Sequence, residues 1–288
     1  MQTKHVFLVL AIMAAWGLAP VASKIGVTQI PPIFLTALRA CVVAVVLLPF
    51  LKSPRGHIPQ LLSLSLMMGT LHYCFVFTGM KSIDASLTTL LVMMQVPFTS
   101  LLAVPFFGER LGWRRGLGLA IAFAGIALIT VEPKVRAEFL PVLFILIGIF
   151  FWSTSNILVK RMRLTDGNMI NGWVAILSAP QLFAISFLLE TDQVAAMQTA
   201  SWTAWGSVLY MAIVITAITF ALWYRLLRWY TVNQVVPYTL LMPVFGVAAS
   251  MLVLGDALSW IIFAGGLMTL AGVAIIVLRR PLDIETGV

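Results

Sequence analysis

The sequence predicts an all-α polytopic membrane protein, with ten transmembrane helices arranged as two inverted five-helix repeats around a central cavity. Three observations carry that prediction. The 288 residues are 61% hydrophobic and only 10% charged, against roughly 45–50% apolar and about 25% charged in soluble domains. Apolar runs about as long as a membrane-crossing helix needs recur ten times between charged or proline-containing breaks. Two blocks of the first half also reappear, in the same order, in the second.

The runs fall at about 5–25, 32–50, 59–80, 84–107, 113–131, 139–160, 168–189, 202–224, 232–254 and 260–278. A backbone in lipid has to satisfy its own hydrogen bonds, and alternating polarity of the kind a membrane barrel requires is absent, so these runs are helices. Residues 1–133 form the first five-helix unit, 138–280 the second, and 281–288 a cytoplasmic tail. Lys4, the apolar stretch after it and the small residues Ala19 and Ala22 also have the outline of a signal peptide. Cleavage there would remove the first span and destroy the repeat, so the span is read as retained. Cys41 and Cys74 both lie inside apolar runs, which predicts neither a structural disulfide nor a cysteine metal site.

The formal net charge of +8 is an orientation signal rather than a nucleic-acid footprint. With a cytoplasmic N-terminus, thirteen Lys and Arg fall on the inner side: Lys4, Lys52, Arg55, Arg110, Arg114, Arg115, Lys160, Arg161, Arg163, Arg225, Arg228, Arg279 and Arg280. Only Lys24, Lys81, Lys134 and Arg136 fall outside, and Arg39 lies within a span. Cytoplasmic loops carry such an excess, so both termini are expected in the cytoplasm.

The repeat shows in two places. WGLAPVASK from Trp16 to Lys24 is matched 136 residues later by WSTSNILVK from Trp152 to Lys160. GERLGWRRGLGLAIAFAGIALI from Gly108 is matched 147 residues later by GDALSWIIFAGGLMTLAGVAII from Gly255. Five spans per half is an odd number, so the second half enters the membrane in the opposite sense, an arrangement that recurs in secondary transporters with the solute site between the halves.

At these residues the chain resembles the EamA-type ten-helix branch of the drug/metabolite transporter superfamily. The marks are WGLAPVASKIG at Trp16, PPIFLTALR from Pro31 to Arg39, FGERL at Phe107 and the repeated block at Gly255. The likeness covers roughly residues 5–280 and is closest to bacterial amino-acid and metabolite exporters of the EamA and YddG kind. It implies a basket of helices, a central cavity and residence in the bacterial inner membrane. The second block reads GDAL, without the arginine of GERL, which removes a symmetric role for Arg110.

Polar residues within spans are the candidates for the site, because burying them costs stability unless they pair or work. Arg39 stands seven residues into its helix, roughly 10 Å deep, with no acid deep in any span. It can present its fork of donors to a substrate carboxylate, or tie backbone carbonyls at a broken helix. Trp16 on the first span and Trp152 and Asn156 on the sixth read as cavity wall, a packed core position being the other reading for Trp16. Lys24 and Lys160 read as border anchors that snorkel to headgroups. His72 is the one histidine inside a span, a proton carrier or a hydrogen-bonded packing residue. The fourth span carries Thr88, Gln95 and Thr99 with Pro97 and Pro105, and the ninth carries Gln234 and Tyr238 with Pro237 and Pro243. Prolines in counterpart helices predict interrupted segments whose freed carbonyls face a cavity. Small residues around Gly118 and Gly265 predict close helix packing or a subunit contact.

The substrate-binding candidates are therefore Arg39, Trp16, His72, Gln95, Trp152, Asn156 and Tyr238. Cationic side chains and no deep carboxylate suit amino acids or other carboxylate-bearing solutes, exported by alternating access. A channel-like carrier, or an importer of a drug, nucleotide or sugar derivative, is the competing class. An intramembrane enzyme lacks support, since there is no H-E-x-x-H, aspartate pair or Ser–His–Asp set. No ATP-binding loop, metal site or cofactor is expected. The expected partners are a small-molecule substrate and the lipid bilayer, with the chain a monomer or weak dimer.

Overall fold

The computed structural model describes residues 1–54, 56–109, 111–162 and 167–278, apart from the side chains at 232 and 233. Arg55, Arg110, Arg163, Arg279, Arg280 and the tail 281–288 lie outside the described residues. Ten helices are long and apolar enough to cross a membrane, and no strand occurs among the described residues. They are α1 (Thr3–Val27), α2 (Pro32–Phe50), α3 (Ile58–Ser82), α4 (Ala85–Phe107) and α5 (Trp113–Val131), followed by α6 (Phe139–Met162), α7 (Gly167–Leu189), α8 (Trp202–Trp229), α9 (Val236–Leu254) and α10 (Trp260–Leu278). Each overlaps its predicted span. The largest extension is in α8, which runs past Arg225 to Trp229. The apolar window stops at that arginine, but the helix continues as an amphipathic turn with Leu226 buried.

Four helices are irregular, and they form two counterpart pairs. In α4 the first piece ends at Val92 and the helix resumes at Gln95. Pro97 has no N–H to give to the carbonyl four residues back, so the ladder breaks there. In α9 the stretch Val236–Leu241 is a tighter 3-10 helix that gives way to α-helix at Met242, just before Pro243. Pro97 and Pro243 lie 146 positions apart. The second pair is α3 and α8, which widen into π-helix over Ser65–Leu71 and Tyr210–Thr219. Such stretches are rare and collect at functional sites.

Packing follows the same exchange. α5 lies along α10 and α2 along α7, while α1 packs on α8 and α9 as α6 packs on α3 and α4. Swapping the halves maps this pattern onto itself. The α5–α10 contact is made backbone to backbone: a Cβ on Gly118 would stand 2.8 Å from the Gly272 carbonyl, and one on Gly125 2.6 Å from that of Gly265. The small residues of these helices thus serve a contact within the chain. α4 and α9 both end on a glycine in the left-handed region, Gly108 at φ 65° and Gly255 at φ 71°, a conformation glycine adopts without Cβ strain.

The core is unevenly distributed. Toward the end of the bundle that carries Lys24, a large apolar cluster joins both halves, with Val27, Leu35, Leu91, Ile129, Ile145 and Val208 at its heart, and a small one of Ile33, Ala37, Ala40, Ala179 and Leu182 lies beside it on α2 and α7. Toward the end that carries Lys160 the core divides. Val9, Ile12, Met13, Leu226 and Val235 form one cluster on α1, α8 and the segment before α9. Leu64, Ile170 and Val174 form another on α3 and α7.

Candidate functional site

α2 starts at a Pro31–Pro32 pair, where the missing N–H groups cost nothing. Its next two amides, Ile33 and Phe34, donate to the Glu190 carboxylate at 2.8 and 2.9 Å. That cap sits at the end of α7, so α2 and α7 run antiparallel and side by side. Two turns in, Arg39 is buried at 7% exposure. Its Nη2 donates to the Thr216 hydroxyl at 2.7 Å, and its guanidinium lies 4.3 Å from the centre of the Tyr73 ring. Its Nε is buried without a hydrogen-bond partner among the described residues. Thr216 belongs to the π-helical stretch of α8, and its own hydroxyl donates a hydrogen bond to the Met211 carbonyl five residues back, at 2.9 Å.

Arg39 lines a cleft between α2, α3, α7 and α8, with Thr36, Tyr73, Asn171, Ser178 and Thr216 among its walls. The room within it is about 30 Å³ in this conformation, enough for a water molecule or two. No acidic side chain lines it. Two helices come from each half.

A second polar tether mirrors the first. Gln181 of α7 donates to Ser65 at 3.0 Å and accepts from Thr70 at 2.8 Å, both in the π-helical stretch of α3. A side chain of α2 thus holds the irregular part of α8, and a side chain of α7 holds that of α3.

The other candidates fall into separate places. Trp16 donates through its indole N–H to Thr219 at 2.7 Å and packs against Phe220 and Trp223 at 5.4 and 5.2 Å. Tyr238 belongs to the same cluster. Trp152 lies 4.9 Å from His72, whose Nδ1 is 2.9 Å from the Gly148 carbonyl and whose ring meets Tyr73 at 4.8 Å. Trp16 and Trp152 are sequence counterparts, and so are their partners Thr219 and His72, 147 positions apart. The aromatic chain Trp152–His72–Tyr73 runs up to Arg39. Gln95 starts the second piece of α4, where its carbonyl accepts from Ser153 at 3.2 Å. Asn156 is exposed, one turn from Lys160.

The two lysines do not behave as snorkelling anchors. Lys24 turns inward and donates to the carbonyls of Met80, Lys81 and Ile83 at 2.9, 2.9 and 2.7 Å, capping the end of α3. Carbonyls at a helix terminus have no partner within the helix and attract a cation. Lys160 reaches Glu109 at 3.3 Å and lies over the Phe107 ring at 4.1 Å. Sequence reasoning also misses Tyr73, Asn171, Thr216 and Gln181. Asn171 and Gln181 are visible as amides within an apolar run, whereas nothing local marks Thr216 or Tyr73.

A bundle of ten apolar helices in two exchangeable halves, with a polar cleft between them, defines a multi-pass membrane transporter. The chain belongs to the EamA-like transporter family, whose profile matches residues 3–131 and again residues 139–278. It is similar to a protein of Salmonella typhimurium named "Probable amino-acid metabolite efflux pump", 30% identical with 96% of this chain and 95% of that one covered. A protein of the same name from Escherichia coli is 28% identical over the same shares. An "Uncharacterized transporter YoaV" of Bacillus subtilis is 24% identical, with 92% and 94% covered. A solved crystal structure shares the fold at a TM-score of 0.63 and 17% identity, with 96% of each chain aligned. The protein is therefore a transporter and not an enzyme.

Proposed function

We infer that the protein exports small carboxylate-bearing solutes, amino acids and related metabolites, across the bacterial inner membrane. The observation that carries this reading is Arg39, a buried guanidinium with a free donor in a cleft between the halves that no acid lines. A buried cation is costly unless an anion compensates it, and a forked donor set suits a carboxylate. The names of the Salmonella and Escherichia relatives support the same solute class.

In this reading the halves, residues 1–133 and 138–280, are inverted with respect to each other. The thirteen-to-four distribution of Lys and Arg puts both termini in the cytoplasm, so the Lys160 end is the cytoplasmic one. The large core at the Lys24 end and the smaller separate clusters toward the Lys160 end support a carrier facing inward, ready to load. Trp16, His72, Gln95, Trp152 and Tyr238 flank the route between the halves, and exposed Asn156 stands near its cytoplasmic side.

Overexpression in bacteria with mass-spectrometric profiling of the medium tests the function. Amino acids or small acids should accumulate outside, and Arg39→Gln should cut that export at least about tenfold, the loss of a charged hydrogen bond. Unchanged export of every such solute sinks the reading, and net accumulation inside the cell reverses the direction. For orientation, single cysteines at Asp192 and Arg115 should label from the periplasm and the cytoplasm respectively. The opposite pattern overturns the topology.

A further inference from the structure

The carboxylate reading leaves one group of the cleft without a task. Asn171 is 6% exposed, and its amide N–H₂ has no hydrogen-bond partner among the described residues. It lines the same cleft as Arg39. A buried amide left without a partner is costly, so its retention calls for an acceptor that is present when the protein works.

The two donors are set apart along the membrane normal. Asn171 stands four residues from Gly167, at the Lys160 end of α7, on a helix that finishes at the Glu190 cap of α2. Arg39 stands seven residues from the start of α2, deeper in the bundle and nearer the Lys24 end. A solute coming from the Lys160 end meets Asn171 first and Arg39 beyond it. Between them the wall is largely apolar, with Val43, Ala40 and Val174. One point recognises an anion and the other a neutral oxygen, with an apolar wall between that suits carbon rather than charge.

We propose that this cleft selects small acids carrying a second hydrogen-bond acceptor, the carboxylate on Arg39 and the second oxygen on the Asn171 amide. The assignment rests on the carboxylate reading above and narrows it. It also gives Thr216 a role: the hydroxyl occupies one arm of Arg39 until a carboxylate takes it. Asn171 is then a specificity-determining residue contributed by the second half, where Arg39 is contributed by the first.

Counterflow in proteoliposomes with radiolabelled serine, asparagine, alanine and leucine, and with competing serinamide, reads this directly. Serine and asparagine should exceed alanine and leucine by about tenfold in kcat/KM, the worth of one satisfied buried hydrogen bond. Serinamide, which lacks the carboxylate, should not compete. Asn171→Leu should bring the serine-to-alanine ratio of kcat/KM down to about one, and Asn171→Asp should depress every acid by placing a carboxylate where the solute's own acceptor belongs. A wild-type protein that moves no small acid fails the export reading itself. A wild-type protein that moves acids with a serine-to-alanine ratio unchanged by Asn171→Leu overturns only the present assignment. Should that variant not fold, Ser178→Cys in a Cys41→Ser, Cys74→Ser background supplies the second test. Methanethiosulfonate modification of that cysteine should be slowed by serine more than by alanine, and equal protection by the two overturns the proposal.

Discussion

The two ends of the helical bundle are closed by different means. At the Lys24 end, side chains reach across to the backbone termini of other helices: Lys24 to the end of α3, Glu190 to the start of α2, and Asp256 to the Ser86 amide at the start of α4, at 2.9 Å. Beneath them lies the largest apolar cluster. At the Lys160 end, the described polar contacts are mostly side chain to side chain and partly exposed, as in Lys160 and Arg115 on Glu109 at 3.3 and 3.5 Å, or His5 on Tyr230 at 2.6 Å. The apolar contacts there are split into smaller clusters, a third being Val43, Leu47, Ala175 and Ala212 on α2, α7 and α8. Charge-assisted bonds to otherwise unpaired helix ends are strong because both partners have no better alternative. Exposed ion pairs compete with water and contribute little. One end is latched, and the other is merely lined with charge.

Removing the Lys24 latch should have the largest effect. Lys24→Met leaves three carbonyls at the end of α3 without a donor and should weaken closure of that end by about 2 kcal/mol. The measurement is periplasmic labelling of Ser23→Cys in a background of Cys41→Ser and Cys74→Ser, since Ser23 is buried at 5% exposure behind the latch. Labelling should rise more than tenfold over the Lys24-containing parent, and an unchanged rate would show that the apolar cluster closes this end unaided. Asp256→Ala removes the carboxylate from the α4 terminus and should cost about 1 kcal/mol, read as a smaller rise in the same assay.

Lys160→Met tests the opposite end. The pair with Glu109 is half exposed, and its loss should cost below about 1 kcal/mol, with labelling of Ser23→Cys unaltered. An effect equal to that of Lys24→Met would erase the distinction between the ends. Smallest of the charge changes is Lys134→Met, in the short helix Pro133–Ala137 outside the spans. A hydrogen bond to Asp84 at 2.6 Å holds its ammonium above the ordinary lysine range, with burial opposing. A raised value means that its stabilisation is complete below the usual lysine pKa and disappears as the pH climbs through the higher one. At neutral pH the substitution should shift thermal unfolding by less than about 0.5 kcal/mol equivalent, and the wild-type advantage should vanish in strongly alkaline buffer.

Legibility in the sequence divides along a physical line. The ten spans are readable because hydrocarbon demands long apolar runs, and the breaks in α4 and α9 are readable because Pro97 and Pro243 each delete a donor. Arg39 is readable because a cation within such a run has few innocent explanations. The π-helical stretches are not, since SLMMGTL and YMAIVITAIT carry no proline, and the one glycine, Gly69, is of a kind found in many ordinary membrane helices; their widened turns are held by Gln181 and Arg39 from other helices. Lys24 shows the same limit. Its position at a membrane border is plain, but whether it points to headgroups or to a neighbouring helix end depends on where α3 stops in space. Trp16 and Trp152 stand out by repetition, yet their partners Thr219 and His72 share no chemistry that a pattern could match.

The contact between α5 and α10 has a mechanical consequence. Side chains can change rotamer and let one surface slip on another, whereas backbones in contact cannot; Gly17 with Gly246, on α1 and α9, and Gly79 and Gly148, on α3 and α6, make further approaches of that kind. Gly118 and Gly272, with Gly125 and Gly265, leave nothing between the two backbones to rearrange. The pair therefore behaves as an axle joining the halves: whatever swings when the open end changes, this line stays put. Spin labels on the exposed positions Ala120 and Ala271 should report one distance throughout a transport cycle, while labels spanning the Lys24 end should report two.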